Sequence, residues 1–171
     1  MTLVVLLGGA RAGKSALARR LAEHGNGPVT YVATAEPRDD EMAARIARHR
    51  DERPDGWTTV EEPLALRSAL DEIDDDGLVI VDCLTLWVSN LLERGDAAEA
   101  IVAEADAVAR ACASRPGRVI AVTNEVGLGI VPANELARAY RDVLGEVNRL
   151  FVDRADEASF VVAGRRLRLE T

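Results

Sequence analysis

The stretch LVVLLGGARAGKSALARRL, at positions 3–21, constrains the fold more than any other part of this chain. It matches the pattern G-x-x-x-x-G-K-[ST] in full, and the fixed positions are Gly8, Gly13, Lys14 and Ser15. An apolar run precedes the pattern, and an amphipathic helical pattern follows it. A chance glycine-rich turn before a helix is the plain alternative. The agreement of all three parts instead predicts a buried strand, a phosphate-binding loop and a helix, in that order.

Each part of this loop has a physical role in holding phosphate. Glycine lets the backbone wrap closely around an anion, and the N–H groups and dipole at the helix start attract it. Lys14 supplies a compact charge for the terminal phosphates, and Ser15 is placed to bind Mg²⁺. Lys14 is the only lysine among 21 basic residues, which fits a position that a planar guanidinium would not suit. The residues predicted to hold a nucleoside triphosphate are Gly8, Gly9, Ala10, Arg11, Ala12, Gly13, Lys14 and Ser15.

Apolar runs rich in β-branched residues recur along the chain, with helical patterns between them. The runs are continuous rather than alternating, which is typical of strands covered on both faces, and they cover residues 3–7, 29–33, 78–81, 119–123 and 160–162. Apolar positions at three-to-four spacing predict helices over residues 14–24, 39–52, 63–74, 84–94, 97–114 and 133–154. This alternation predicts an α/β fold with three layers, in which helices cover both faces of a mostly parallel sheet.

The C-terminal segment VVAGRRLRLE predicts a strand, a turn at Gly164–Arg165 and a short edge strand, which together form a C-terminal hairpin. No internal repeat, low-complexity tract or linker interrupts the pattern. The 171 residues are therefore expected to form a single nucleotide-binding domain over positions 1–171.

Charge and composition exclude several classes of protein. A net charge of −8 argues against a nucleic-acid binder that works through a basic surface. No apolar run approaches the length of a membrane span, and the N-terminus is too short and lacks the basic residues of a signal peptide, so the cytoplasm is the expected location. Two cysteines, Cys83 and Cys112, do not make a disulfide framework.

The stretch GLVIVDCLTLW, at positions 77–87, ends an apolar strand with an acid, Asp82. In proteins with a phosphate loop, such an acid holds or orients Mg²⁺. The alternative is that Asp82 only caps the helical pattern that follows it. We predict the metal role, with Ser15 and Asp82 as the residues that hold the ion.

The stretch DDEMAARIARHRDERP, at positions 39–54, places one of only two histidines on a predicted helix. Met42, Ile46 and His49 share a face, so His49 continues the apolar side of the helix. Four arginines, at positions 45, 48, 50 and 53, lie on this helix or directly after it, in a chain whose net charge is negative. A packed structural histidine is the common case, but imidazole is also a good nucleophile toward phosphorus, and arginines stabilise phosphate charge. The second histidine, His24, follows the first helix and needs no function.

Several motifs together resemble one known family. They are GGARAGKS, YVATAEPRDDEMAARIARHRDERP, W-x-T-V-E, VDCLTLWVSNLL and TNEVGLGIVP, with LAR and RDVLGEVN further on. This combination is similar to the bifunctional adenosylcobinamide kinase / adenosylcobinamide-phosphate guanylyltransferase family. The resemblance runs from Leu3 to about Gly164.

The resemblance implies an enzyme with two stages. A hydroxyl of adenosylcobinamide is first phosphorylated from ATP or GTP. GTP then guanylylates a histidine, and adenosylcobinamide phosphate takes the guanylyl group to give adenosylcobinamide-GDP. The resemblance also implies a fold with a mostly parallel P-loop sheet and assembly as a homotrimer.

The same motif match implies roles for individual residues. His49 takes the place of the catalytic histidine. Glu61 and Asp82 correspond to acidic positions at the guanine nucleotide and the metal. Besides the phosphate loop, the implied nucleotide-binding residues are Ala33, Thr34, Ala35, Arg50, Asp51, Glu52, Arg53, Glu61 and Asp82. Asn124 and Glu125 in the NEVGLGIVP loop are candidates for contacting the corrinoid or ordering the site, and Trp57, Trp87 and Tyr140 are possible apolar walls.

Two departures from the usual family pattern are small. Ala12 stands where the family usually has serine, which removes a hydroxyl but no backbone N–H. Arg48 precedes His49 where some members have a second histidine. Two other functions stay open: a simple P-loop small-molecule kinase in which His49 is structural, and a nucleotide-gated switch or ATPase interaction module.

Overall fold

The computed structural model describes residues 3–25, 27–74 and 76–170. The strands are Leu3–Gly8 (β1), Val29–Ala33 (β2), Thr58–Glu61 (β3), Leu78–Asp82 (β4), Val119–Val122 (β5), Glu157–Val162 (β6) and Arg165–Leu169 (β7). The helices are Lys14–Glu23 (α1), Asp40–Asp51 (α2), Leu66–Asp71 (α3), Leu84–Arg94 (α4), Ala98–Ser114 (α5) and Glu135–Val152 (α6).

The strands form one sheet in the order β3-β2-β4-β5-β1-β6-β7. Every neighbouring pair is parallel except β6 and β7, which form an antiparallel hairpin at one edge. The chain therefore brings the carboxyl ends of β1, β2, β4 and β5 to one edge of the sheet. In open α/β sheets this is the edge at which ligands bind.

Two apolar clusters cover the two faces of this sheet, so the predicted three layers are confirmed. On one face, Ala18 and Ala22 of α1 pack against β-strand residues such as Ile80 and Ile120. On the other face, α3, α4, α5 and α6 pack around the fully buried Trp87 and Phe151. The central strands β1 and β5 are buried along their whole length, which explains their continuous apolar sequence.

Local sequence signals set several helix ends. The Asp39 side chain accepts the Met42 N–H at 2.7 Å and caps α2, and the Asn134 side chain accepts the Ala137 N–H at 2.7 Å and caps α6. Gly95 adopts a φ of 96° and ends α4. His24 is the C-terminal cap of α1, as the sequence indicated.

The structure corrects four details of the predicted elements. β3 was not predicted, because Thr58–Glu61 is a short, largely exposed edge strand with little apolar signal. The helix expected over 63–74 is only Leu66–Asp71, and the strand expected over 160–162 begins at Glu157. The C-terminal turn lies at Ala163 and Gly164, whose φ angles are 50° and 71°, rather than at Gly164–Arg165. Among the described helices, none is long and apolar enough to cross a membrane.

Candidate active site

The phosphate loop lies between β1 and α1, as predicted. Gly8 has a φ of +153°, and a Cβ at this position would lie 2.2 Å from the Val161 carbonyl oxygen. Gly13 begins α1 in the left-handed region, with a φ of 97°. Ser15 is half-buried in the first turn of α1. Both glycines are therefore required by the backbone path, which leads into the N-terminus of α1, the kind of helix end that attracts phosphate.

Lys14 is folded back onto its own loop. Its side chain is only 7% exposed, and Nζ donates to the carbonyl oxygens of Gly8 at 3.0 Å and Gly9 at 2.7 Å. Burial lowers the pKa of Lys14 from its usual range, while the nearby charge of Asp82 acts in the opposite direction. The ammonium is thus held by two neutral carbonyl oxygens at the position where a phosphate would compete for it.

Two other segments brace the loop. The Gly164 N–H donates to the Ala12 carbonyl oxygen at 2.9 Å, so the turn of the β6–β7 hairpin touches the phosphate loop. The Glu125 N–H donates to the Gly8 carbonyl oxygen at 3.1 Å, so the segment after β5 begins at the same point. The loop is therefore held by two distant parts of the chain.

Asp82 ends β4 beside Ala33 of β2. One of its carboxylate oxygens, Oδ2, accepts a short hydrogen bond from the Tyr31 hydroxyl. Burial, and then the charge of Asp82, raise the pKa of Tyr31 above its usual range, so the hydroxyl remains a donor. The interpretation of Asp82 as a helix cap is wrong, because Cys83 occupies the cap position of α4, which has no side-chain cap bond.

The residues present suit Mg²⁺ bound mainly by phosphates. Within the described ranges, no three His, Cys, Asp or Glu side chains form a metal cluster. Mg²⁺ at nucleotide sites needs only one or two protein oxygens in addition to substrate phosphates and water. The Ser15 hydroxyl at the start of α1 and the Asp82 carboxylate, which lies near enough to Lys14 to affect its pKa, supply oxygens of that kind.

The segment Ala33–Ala35 lies at the same carboxyl edge, but its one hydroxyl is already occupied. Thr34 is fully buried, and its Oγ1 accepts the Cys83 N–H at 2.8 Å and donates to the Cys83 carbonyl oxygen at 2.7 Å. The Asn90 amide donates to the Thr34 carbonyl oxygen at 2.8 Å. Thr34 therefore locks the end of β2 to the end of β4, and Asn90, which the sequence did not single out, supports it. Burial also raises the pKa of the Cys83 thiol to about 11, so it remains an unreactive thiol at neutral pH.

α2 carries His49 on its less exposed side, as the spacing predicted. Met42, Ile46 and His49 are half-buried, whereas the other residues of the helix are exposed. The sequence reasoning overstated this burial, because α2 contains no buried residue and neither apolar cluster includes it. His49 thus lies on the less exposed side of a helix at the surface.

Charged contacts at the end of α2 tie it to the rest of the site. Arg50 forms an ion pair with Glu61 of β3, and Glu52 forms one with Arg19 of α1 at 2.9 Å. The Arg53 guanidinium lies over the Tyr31 ring, 4.0 Å from its centroid. Asp51 is exposed. Arg50 and Arg53 therefore lie beside β3 and β2, whereas Glu52 is paired with α1.

The arginine-rich half of α2 also reaches the phosphate loop electrostatically. The charge of Arg45 contributes to lowering the pKa of Lys14, after burial. Positive charge on α2 therefore acts on the same ammonium that the phosphate loop holds.

The loop that follows β5 is anchored at its start and exposed beyond it. The Asn124 N–H donates to the Thr85 hydroxyl at 2.7 Å, and the Asn148 amide donates to the Asn124 carbonyl oxygen at 3.0 Å. The Glu125 carboxylate accepts the N–H of Gly127 in its own loop. The Leu128 side chain is 81% exposed, and that of Ile130 is 97% exposed. Asn124 and Glu125 thus lie beside the phosphate loop, while the apolar tip faces outward.

The three aromatic residues suggested as apolar walls differ in position. Trp87 is fully buried, and its Nε1 donates to the Leu64 carbonyl oxygen at 2.8 Å, so it belongs to the core. Trp57 is half-buried beside the α1 face of the sheet. Tyr140 is half-buried and lines a cavity of about 200 Å³ with α4 residues that include Leu92.

A mostly parallel sheet, a glycine-rich loop that follows β1 and closes on a buried lysine, and an acid at the end of β4 define a P-loop nucleotide-binding protein. Solved structures agree on the fold. A protein from Pyrococcus horikoshii OT3 superposes with a TM-score of 0.59 at 7% identity, covering 98% of this chain and 85% of that one. An ATPase from the type III secretion system of pathogenic bacteria superposes with a TM-score of 0.57 at 11% identity, covering 93% of this chain and 50% of that one.

Sequence comparison identifies the particular family. Residues 4–169 match the family model CobU, cobinamide kinase / cobinamide phosphate guanyltransferase, and the chain belongs to this family of bifunctional enzymes. The bifunctional adenosylcobalamin biosynthesis protein CobP of Pseudomonas aeruginosa is 46% identical over 161 residues, 94% of this chain and 92% of that protein. The proteins named CobU from Escherichia coli K12 and Salmonella typhimurium LT2 are 41% and 42% identical, covering 95% of this chain and 96% of each relative. The resemblance drawn from the motifs is therefore confirmed.

Proposed function

We propose that this enzyme carries out the two reactions of its family at one nucleotide site. In the second reaction, His49 carries the guanylyl group from GTP to adenosylcobinamide phosphate. The observation that supports this most directly is the position of α2. His49 lies on its less exposed side, and the end of the helix is tied to Arg19 of α1 and to Tyr31, which packs in the apolar cluster on the α1 face of the sheet. On this proposal, the nucleophile His49, the arginines at the end of α2 and the phosphate loop belong to one site.

In the kinase step, the phosphate loop holds the triphosphate of ATP or GTP through its backbone N–H groups and Lys14. The hydroxyl oxygen of adenosylcobinamide attacks the γ-phosphorus and the bond to the β-phosphate oxygen breaks, so a nucleoside diphosphate leaves and the hydroxyl proton passes to solvent. Lys14 leaves the carbonyl oxygens of Gly8 and Gly9 to neutralise charge on the phosphates. Ser15 and Asp82 would hold Mg²⁺, which would supply positive charge against the phosphates.

In the transferase step, a neutral imidazole nitrogen of His49 attacks the α-phosphorus of GTP and pyrophosphate leaves. A phosphate oxygen of adenosylcobinamide phosphate then attacks the phosphorus of the phosphoramidate. The P–N bond breaks, a pyrophosphate linkage forms and the imidazole is restored. Arg50, Arg53 and Glu61, with Asp51 and Glu52 between them in the chain, are proposed to contact the nucleotide. For this contact, the ion pair between Arg50 and Glu61 has to break so that each side chain can bind the nucleotide.

The remaining parts of the proposal concern assembly and location. We propose a homotrimer acting in the cytoplasm on adenosylcobinamide and its phosphate, without nucleic acid. The exposed apolar tip of the loop after β5 supports a subunit contact, since a partner subunit would cover it, and the number of three subunits comes from the family resemblance.

The proposal is tested by following the two labelled ends of GTP. The protein is incubated with Mg²⁺ and GTP labelled at the α- or the γ-phosphate, denatured and assayed for bound label. Acid-labile, base-stable label from α-labelled GTP alone is expected, and adenosylcobinamide phosphate should discharge it. His49→Ala should abolish the label, whereas His24→Ala, which alters the chain's other histidine, should retain it.

Two results would contradict the covalent route. Absence of α-label under every condition, with nucleotide still bound, would leave a P-loop kinase with a structural His49. Label that persists in His49→Ala would place the nucleophile elsewhere.

A further inference from the structure

The buried Tyr31 hydroxyl is hydrogen-bonded to a carboxylate at the phosphate-loop edge of the sheet. Tyr31 lies in the middle of β2, is 2% exposed and packs within the apolar cluster on the α1 face. Its hydroxyl crosses to the neighbouring strand and donates to Oδ2 of Asp82. A buried hydroxyl requires a partner, and this one fixes a rotatable carboxylate at one oxygen.

The Arg53 guanidinium stacks over the ring of the same tyrosine. Arg53 lies four residues after His49, and its charge is 4.0 Å from the ring centroid. Its Nη1 donates to the Thr59 hydroxyl of β3 at 3.1 Å, whereas its buried Nε has no hydrogen-bond partner in the described part of the chain. The position of Arg53 is thus set largely by the Tyr31 ring and one side-chain bond.

We propose that Tyr31 is a positioning residue that holds the Asp82 carboxylate for Mg²⁺–nucleotide binding, while its ring seats Arg53. This inference rests on the proposed metal role of Asp82. With Oδ2 held by Tyr31, the carboxylate is restricted in rotation before the metal arrives. Hydrogen bonds that orient metal-binding carboxylates in this way commonly change metal affinity about 10–100-fold when removed.

The change Tyr31→Phe tests the proposal because it removes one hydroxyl and keeps the ring beneath Arg53. GTP carrying a fluorescent methylanthraniloyl group is titrated into the protein at a series of Mg²⁺ concentrations and in EDTA. The Mg²⁺ concentration that gives half of the metal-dependent gain in affinity should rise about tenfold. Affinity in EDTA should stay within about twofold of the wild type, since the phosphate loop is untouched.

Tyr140→Phe is the matched control, because it makes the same chemical change at the only other tyrosine. The Tyr140 hydroxyl donates to the Thr85 carbonyl oxygen at 3.3 Å and to no carboxylate in the described structure. Its Mg²⁺ midpoint should equal that of the wild type. If Tyr31→Phe and Tyr140→Phe shift the midpoint equally, or if Tyr31→Phe leaves it unchanged, Tyr31 does not position Asp82.

Two variants of Asp82 separate this inference from the function on which it rests. An unchanged midpoint in Asp82→Asn would overturn the metal role of Asp82, and the positioning role with it. A raised midpoint in Asp82→Asn beside a wild-type midpoint in Tyr31→Phe would overturn the positioning role alone. Asp82→Glu keeps the charge but moves it from the Tyr31 hydroxyl, and it should raise the midpoint. If Tyr31→Phe does not fold, the result for Asp82→Glu decides the question. A wild-type Mg²⁺ midpoint in Asp82→Glu would contradict the proposal.

Discussion

At the scale of single residues, Gly8 is the position where the phosphate loop depends most on the absence of a side chain. An added Cβ would lie 2.2 Å from the Val161 carbonyl oxygen, which is backbone and cannot swing aside, and the φ of +153° is itself unfavourable for other residues. We expect Gly8→Ala to lower the free energy of unfolding by about 3 kcal/mol, measured by urea denaturation.

Gly9→Ala is the matched control for this change. A Cβ on Gly9 would meet no atom within 4 Å, so its free energy of unfolding should stay within about 0.5 kcal/mol of the wild type. Equal stability of the two variants would show that β6 yields to accommodate a side chain at position 8.

Other residues of the site differ in how far sequence could predict them. The positions of Lys14 and Asp82 were predictable because a short local pattern places each at the end of a buried strand or at the start of the helix after it. The roles of Tyr31 and Thr34 were not, since their bonds join residues 51 and 49 positions apart in the chain. Such partners become neighbours only once β2 and β4 pair, and no local pattern encodes that pairing.

At the scale of elements, α2 differs from the other long helices in how it is held. It has twelve residues and none is buried, whereas α6 has eighteen with six buried. Ion pairs at partly exposed positions contribute at most about 1 kcal/mol each, so α2 is held weakly compared with a helix packed on the core. Hydrogen–deuterium exchange should therefore be much faster in peptides from 40–51 than in peptides from 135–152.

A variant sharpens this expectation. Arg19→Gln removes the ion pair with Glu52 and should speed exchange in α2, while changing the global free energy of unfolding by less than about 1 kcal/mol. Arg149→Gln is the control, because it removes an ion pair within α6. Protection of α2 equal to that of α6 would contradict the picture of a weakly held helix.

The elements also indicate why the fold was largely predictable. Buried parallel strands such as β1 and β5 are continuous apolar runs, and α1 follows an unmistakable loop. β3 was missed because an edge strand needs backbone pairing on only one side and has little apolar sequence to reveal it. The apolar side of α2 was read correctly, but periodicity reports which face is less polar and not how deeply that face is buried.

At the scale of the whole molecule, exposed apolar side chains are concentrated in the loop after β5. Leu128, Ile130 and Val131 are all exposed within four residues, and Leu136 follows at the start of α6. The second exposed group, Leu167 and Leu169 on β7, alternates with arginines, and charged residues commonly protect an edge strand from pairing. The loop is therefore the better candidate for a subunit contact.

We expect light scattering after size-exclusion chromatography to give a trimer for the wild type and a smaller species for Ile130→Asp. A charge at a position that is 97% exposed in the single chain costs little before assembly, but it would be buried against a partner on assembly. Leu167→Asp, at the other exposed group, should remain trimeric. A monomeric wild type would contradict the trimer itself. Dissociation of Leu167→Asp with an intact Ile130→Asp trimer would instead move the contact to the β6–β7 hairpin.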